Sequence, residues 1–457
     1  MRRIALYAAV MSVAVCFVGC GTAPQKDRVP DYTEVPPASP EAKAAVVPEK
    51  GKEAPPSVEV SDPAVAKPAD APAKAEGPGP LKVYILVGQS NMQGHAHVRT
   101  LDHIGMAPET APMLKEMRNA DGTPRVCEDV WISSIGCGGS DEEEKHGRLS
   151  VGYGAARRGP KIGPELTFGI YMRKAVKEPI LIIKTAWGGK SLHTDFRPPS
   201  AGPYRLNEWQ RQQYSKKGTD LEKWEADKAK ATGRYYRLMV AHVKKVLGDI
   251  RRVYPGYDPE RGYELAGLVW FQGWNDMGDS HTYPNRGAPG SYDKYTEVLA
   301  AFIRDVRRDL SAPEMPFVIG VMGNSGPVSQ WPPEQKRYTS IHGEFRRAQA
   351  RAAELPEFKG NVVAVLTERL FDMQLVELWS KNNRVKAFEG KLRRDKSLSR
   401  EEQRARVEKY RLEVFTPEEL EIYRVGTSNF EFHYLGSGKV MARIGRAFAE
   451  ALAGMGR

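Results

Sequence analysis

Ser90, in the stretch Gly88-Gln89-Ser90-Asn91-Met92-Gln93-Gly94, has the residue type and setting of a catalytic nucleophile. It follows the apolar run Val83 to Val87, which reads as a buried strand. A strand that ends in Gly-x-Ser and turns into a helix lifts the hydroxyl to the carboxyl end of a sheet, where ligands of open α/β folds bind. The same turn offers free backbone N–H groups to an oxyanion. A serine hydroxyl needs a base, usually histidine. Of nine histidines, His433 stands out, in the loop Thr427 to Gly436 ahead of the last helical pattern.

Two further stretches complete a hydrolytic set. In Trp270-Phe271-Gln272-Gly273-Trp274-Asn275-Asp276, a glycine permits a tight turn after an apolar strand, and the Asn275 amide can donate to a developing oxyanion. In Thr185-Ala186-Trp187-Gly188-Gly189-Lys190-Ser191, Gly188 or Gly189 leaves a backbone N–H open to substrate as a second donor. The group that holds the other nitrogen of His433 is less plain. Asp276 ranks first because it adjoins Asn275. Glu431 follows, since in an extended loop a residue two positions before His433 shares its side. A backbone carbonyl is third. Trp187, Trp274 and Trp209 are candidates for an aromatic wall on which a substrate's apolar ring face could stack.

These groups must be held by a scaffold, and the pattern of the chain describes one. Apolar runs recur at Val83–Val87, Val130–Ser133, Ile180–Thr185, Gly267–Phe271, Phe317–Met322 and Val362–Thr367. Between several of them lie helical patterns at Glu165–Ala175, Lys223–Leu247, Tyr292–Leu310, His342–Leu355 and Gly438–Leu452. Strands alternating with amphipathic helices predict an α/β fold whose parallel sheet is covered on both faces. Each candidate residue falls just past the carboxyl end of a strand or in a late loop.

The order Ser, Gly, Asn, His resembles the SGNH hydrolase family. Gly88-Gln89-Ser90-Asn91-Met92, Trp270-Phe271-Gln272-Gly273 and Ile162-Gly163-Pro164-Glu165-Leu166 resemble its sialate O-acetylesterase-like branch, related to carbohydrate esterase family 6. The resemblance covers roughly Leu81 to Leu452. It implies a three-layer, flavodoxin-like fold with helical insertions and hydrolysis of O-acetyl esters on carbohydrate, without a cofactor. It makes Ser90 the nucleophile and a backbone donor, Gly188 or Gly189 and Asn275 the remaining oxyanion donors, and His433 the base. Gln89, Asn91, Trp187, Gln272 and Trp274 fall among the substrate-binding residues. The chain departs from the pattern in two places: Trp274 stands where this branch often has Glu, and Phe430 where many SGNH enzymes have Asp. Those departures motivate one alternative, a glycan-binding surface lipoprotein that has lost turnover; an esterase or lipase of broad specificity is a second.

The N-terminal region reads differently. Arg2, Arg3 and the apolar stretch Ile4 to Gly19 form a signal segment over residues 1–20, and Val18-Gly19-Cys20 resembles a lipoprotein signal with Cys20 lipidated. Thirteen prolines within residues 21–80 leave too little apolar surface for a core, so this stretch is expected to be a tether. Residues 81–457 are then the esterase domain, anchored in the cell envelope only through lipid. The net charge of +11 belongs to that domain, and much of it lies in Lys381 to Arg411, part of a charged helical insertion at about 376–425. No nucleic-acid motif accompanies it, so a solvated helical face is the reading. Cys127 and Cys137 could pair in an exported protein. No Cys/His cluster has zinc spacing, so no metal is called for.

Overall fold

The computed structural model describes residues 79–331 and 336–456. The signal segment, nearly all of the tether and Cys20 lie outside the described residues. Seven strands, β1 (Leu81–Gly88), β2 (Val130–Ile135), β3 (Lys145–Arg148), β4 (Ile180–Ala186), β5 (Tyr263–Phe271), β6 (Phe317–Val321) and β7 (Val362–Leu366), form one sheet in the order β3-β2-β4-β1-β5-β6-β7. All neighbours are parallel except β3, which pairs antiparallel with β2 at the edge. The sheet is thus mostly parallel, not wholly so. β3 follows β2 after a short loop, and a parallel return would need a full crossover connection.

The principal helices are α1 (Ser90–Gln93), α2 (Glu165–Ala175), α3 (Arg234–Gly248), α4 (Asp293–Asp309), α5 (Lys336–Arg351), α6 (Met373–Leu392), α7 (Arg400–Val414), α8 (Pro417–Gly426) and α9 (Gly438–Met455). The helix expected over Lys223–Leu247 is two, broken at Thr232-Gly233. β1 shows why the apolar runs are continuous rather than alternating. Val83, Ile85 and Val87 enter one core with Tyr236, Leu299, Phe302 and Phe345, whereas Tyr84 and Leu86 enter a second with Phe168, Ile444 and Phe448. A strand buried on both faces has no solvent side to leave polar. The result is three layers, helix–sheet–helix.

The charged segment folds as α6, α7 and α8. Ser399 with Glu402, and Thr416 with Glu419, form capping boxes that start α7 and α8. Cys127 and Cys137 are free thiols. They flank β2, and a strand of that length separates its ends by about 20 Å, far beyond the reach of a disulfide.

β1 is the strand from which the chain leaves in one direction to β2 and later returns on the other side as β5. That is the switch point where a crevice opens beyond the strand ends. Register makes the crevice level: Gly88 of β1 is opposite Ala186 of β4 and Phe271 of β5. The loops after all three strands therefore start at one height. Residue 88 must be glycine, since a Cβ there would stand 2.1 Å from the Phe271 carbonyl oxygen. Beneath α1 lies a wholly buried ion pair, in which Lys184 Nζ donates to Glu165 Oε2 at 2.8 Å. Lys184 also donates to the carbonyls of Gln93 (2.8 Å) and Tyr153 (2.9 Å), and Glu165 Oε1 accepts from Gly163 N at 2.9 Å. With its hydrogen bonds met, the pair is tolerable in the interior and clamps the end of the turn that carries Ser90.

Candidate active site

Ser90 opens α1, directly after β1 and Gln89, with its backbone N–H in a first turn that lacks intrahelical acceptors. Gly188 lies beside it: a Cβ built on Gly188 would be 3.8 Å from Ser90 Cβ and 2.9 Å from Gln93 Oε1. A side chain there would press on the Gln93 amide and lie in contact with Ser90. Gly189 instead makes the turn (φ 72°), with open space around it. Of the two glycines, Gly188 is the one that lies against the serine.

Gln89 fixes Asn275 relative to Ser90. Its Nε2 donates to Asn275 Oδ1 at 3.1 Å, and its Oε1 accepts from Gln272 Nε2 (3.1 Å), Gly273 N (3.2 Å) and Asn275 N (3.5 Å). With its oxygen taken by Gln89, Asn275 keeps Nδ2 as its donor. Gln89 and Gln272 are thus braces, each about 1% exposed, and not substrate contacts as expected. Gln272 is spent on Gln89, the Lys190 carbonyl (3.0 Å), Asp276 Oδ2 (2.6 Å) and the Tyr295 hydroxyl (3.0 Å). Asn91 is likewise buried, and its Nδ2 donates to the Phe432 carbonyl at 3.2 Å. Trp187 is also corrected: it is 2% exposed, gives its indole N–H to the Asp141 carbonyl (2.9 Å) and packs on Phe196 and Tyr235. Trp209 has His281 as its ring neighbour. Trp274 is half-buried and remains available to substrate.

His433 reaches Ser90 through the bond from Asn91 to Phe432. The same carbonyl accepts from Asn324 Nδ2 at 2.7 Å, in the loop after β6. Tyr434 and Leu435 are left-handed (φ 53° and 58°). This strain is held by the buried Tyr434 hydroxyl, which accepts from Gly323 N (2.7 Å) and pairs with Thr367 Oγ1 (2.7 Å). Among the described residues Ser90 Oγ has no protein partner, so the Ser90–His433 hydrogen bond is not formed in this structure. Such bonds often close only around substrate.

Neither expected carboxylate orients His433. Asp276 is fully buried and accepts from Leu192 N (2.8 Å), His193 N (3.0 Å), Gln272 Nε2 and Tyr283 OH (3.4 Å). It ties the Asn275 turn to the Gly188 loop. The turn Trp274–Gly278 is helical, so Asp276 points about 100° away from Asn275. Burial raises its pKa. Glu431 bonds the Ser325 hydroxyl, and burial raises its pKa too. The loop is a tight turn over Glu431–Gly436 rather than an extended strand, so the residue two before His433 does not share its side.

The group that meets His433 is Asn429, which the sequence reading missed: His433 Nδ1 is 3.0 Å from Asn429 Oδ1. Phe430 N donates to that same atom at 2.7 Å, which identifies it as the carbonyl oxygen. Nδ1 must then carry the proton, and Nε2 keeps its lone pair. On the ring face, His95 stacks at 3.9 Å and 3°. Burial, then the neighbouring His95, hold the His433 pKa well below the ordinary 6.5. Burial also pushes His95 down to about 3. At neutral pH His433 is therefore an uncharged base.

Asn429→Ala should lower kcat about 10–10²-fold, the worth of one hydrogen bond to a group that becomes charged. That is short of the ~10⁴ seen when a triad carboxylate is amidated. Steady-state kinetics beside Glu431→Gln checks this, and a larger loss in Glu431→Gln would return the role to the carboxylate.

Residues 80–370 match the family described as "Carbohydrate esterase, sialic acid-specific acetylesterase". Solved structures with similarity include a protein from Arabidopsis thaliana, at 17% identity over 63% of this chain and 86% of that one, with a TM-score of 0.34. A carbohydrate acetylesterase from Xanthomonas citri is 15% identical over 64% of this chain and 51% of that one (TM-score 0.34). NanS is 14% identical over 63% and 78% (TM-score 0.33). No curated protein matches the chain. The family match stops before α6, so His433 and Asn429 come from beyond it, yet it spans more than half of the 457 residues. The chain belongs to the carbohydrate esterase, sialic acid-specific acetylesterase family.

Proposed function

We propose that this carbohydrate O-acetylesterase works through an acetyl-enzyme on Ser90. His433 Nε2 takes the Ser90 proton as Oγ attacks the acetyl carbonyl. The oxyanion that forms accepts hydrogen bonds from Ser90 N–H, Gly188 N–H and Asn275 Nδ2. The C–O bond to the sugar then breaks, and His433 returns the proton to the departing hydroxyl. Water, deprotonated by His433, attacks the acetyl group, and acetate leaves with Ser90 restored. No step calls for a metal or cofactor.

The observation that carries this reading is the single Gln89 side chain joining the Asn275 loop to the residue beside Ser90, while Asn91, on the other side of Ser90, holds the His433 loop. Nucleophile, oxyanion donor and base are braced by the two neighbours of the nucleophile. The test is acetate release from O-acetylated sialic acid, O-acetylated xylan and 4-nitrophenyl acetate. Equal rates on acetyl and longer acyl esters would favour a broad esterase, and no turnover would favour a binding protein.

The location is part of the same proposal. Cys20 is read as the lipidated N-terminus of an envelope protein, with the Pro-rich stretch as its tether. Cys20→Ser should move the protein from the membrane to the soluble fraction. Wild-type protein that takes up no labelled fatty acid would remove the anchor.

A further inference from the structure

Beside the nucleophile lies a set of aromatic rings that no step of hydrolysis uses. Phe430 is 45% exposed, among the most exposed large apolar side chains of the described residues. Its ring stacks on that of Phe432 at 5.4 Å and 13°. Phe432 packs on Trp274 at 5.7 Å and 34°, and meets His433 edge-on at 4.5 Å. Trp274 precedes the oxyanion residue Asn275, and Phe432 precedes the base. The aromatic row therefore begins at the catalytic groups and runs outward to Phe430.

We infer that Phe430, Phe432 and Trp274 form a subsite for the pyranose ring of the glycan whose acetyl group lies at Ser90, an inference that rests on the catalytic reading above. The shape argues for a sugar. An acyl chain gains most in a closed apolar pocket, whereas Phe430 offers an exposed flat face. A pyranose can lay its C–H face on such a ring and keep its hydroxyls in water. The row replaces Trp187 and Trp209 as the sugar wall, with Trp274 retained at its inner end.

The test is Phe430→Ala and Phe430→Trp, each assayed with 4-nitrophenyl acetate and with whichever of O-acetylated sialic acid and O-acetylated xylan oligosaccharide the wild type hydrolyses faster. An exposed side chain can be cut back without loss of fold, and the Phe430 N–H that bonds Asn429 is untouched. Phe430→Ala should lose about tenfold in kcat/KM on the sugar ester, mainly through KM, and several-fold less on the nitrophenyl ester. Phe430→Trp should restore the sugar ester. Equal losses on both esters, no loss on the sugar ester, or a wild type that cleaves only the nitrophenyl ester would overturn the subsite. If the wild type cleaves no ester, or Ser90→Ala keeps activity, the catalytic reading fails instead, and the subsite with it.

Discussion

Ser90→Ala is expected to lower acetyl ester hydrolysis on the order of 10⁶-fold, the loss seen when a serine hydrolase is deprived of its nucleophile. The fold should survive. Ser90 is 8% exposed and its hydroxyl has no protein partner among the described residues, so truncation leaves no orphaned polar group. Its braces come from Gln89 and Asn91, which the substitution leaves in place. The checks are kcat on 4-nitrophenyl acetate and on a sugar acetate, with thermal unfolding alongside. Activity near wild type in a folded Ser90→Ala protein would sink the assignment of the site.

Asn275→Ala should lower kcat about 10²–10³-fold, the usual cost of one oxyanion donor. KM should change little, because Nδ2 matters most once negative charge develops on the carbonyl oxygen. Loss of the Asn275 side chain also leaves Gln89 Nε2 without its acceptor, at a cost of about 1–3 kcal/mol if that amide stays buried. A modest fall in melting temperature should therefore accompany the kinetic loss. Gln89 Oε1 still accepts from Gly273 N and Gln272, so the loop keeps most of its support. A large rise in KM with kcat unchanged would make Asn275 a ground-state binding residue.

The two substitutions separate chemistry from scaffold, and the structure is specific about which residues are scaffold. Gln89, Asn91, Gln272 and Asp276 stand next to reactive groups in sequence and were read with them. Each is buried; Gln89, Gln272 and Asp276 have their polar atoms engaged inside the protein, and Asn91 engages its Nδ2 while its Oδ1 has no partner among the described residues. Adjacency in a turn places a residue near a site without aiming it there.

What the sequence determined by itself was the scaffold and the chemistry at the strand ends. Continuous apolar runs with amphipathic helices between them mean a sheet buried on both faces, and a glycine before Ser90 marks the turn at its carboxyl edge. These features are local: they follow from the period of apolar residues and from where the chain can bend. The antiparallel edge strand Lys145–Arg148 escaped because it is largely exposed and carries no apolar run. The partner of His433 escaped for a different reason. In an extended loop Glu431 would share its side, but left-handed Tyr434 and Leu435 close the chain into a turn that brings Asn429 to Nδ1. That turn is held by Asn91, Asn324, Gly323 and Thr367, each far from it along the chain. Only the tertiary structure decides which side chain meets the base, because the loop's conformation is paid for by hydrogen bonds from other strands' ends.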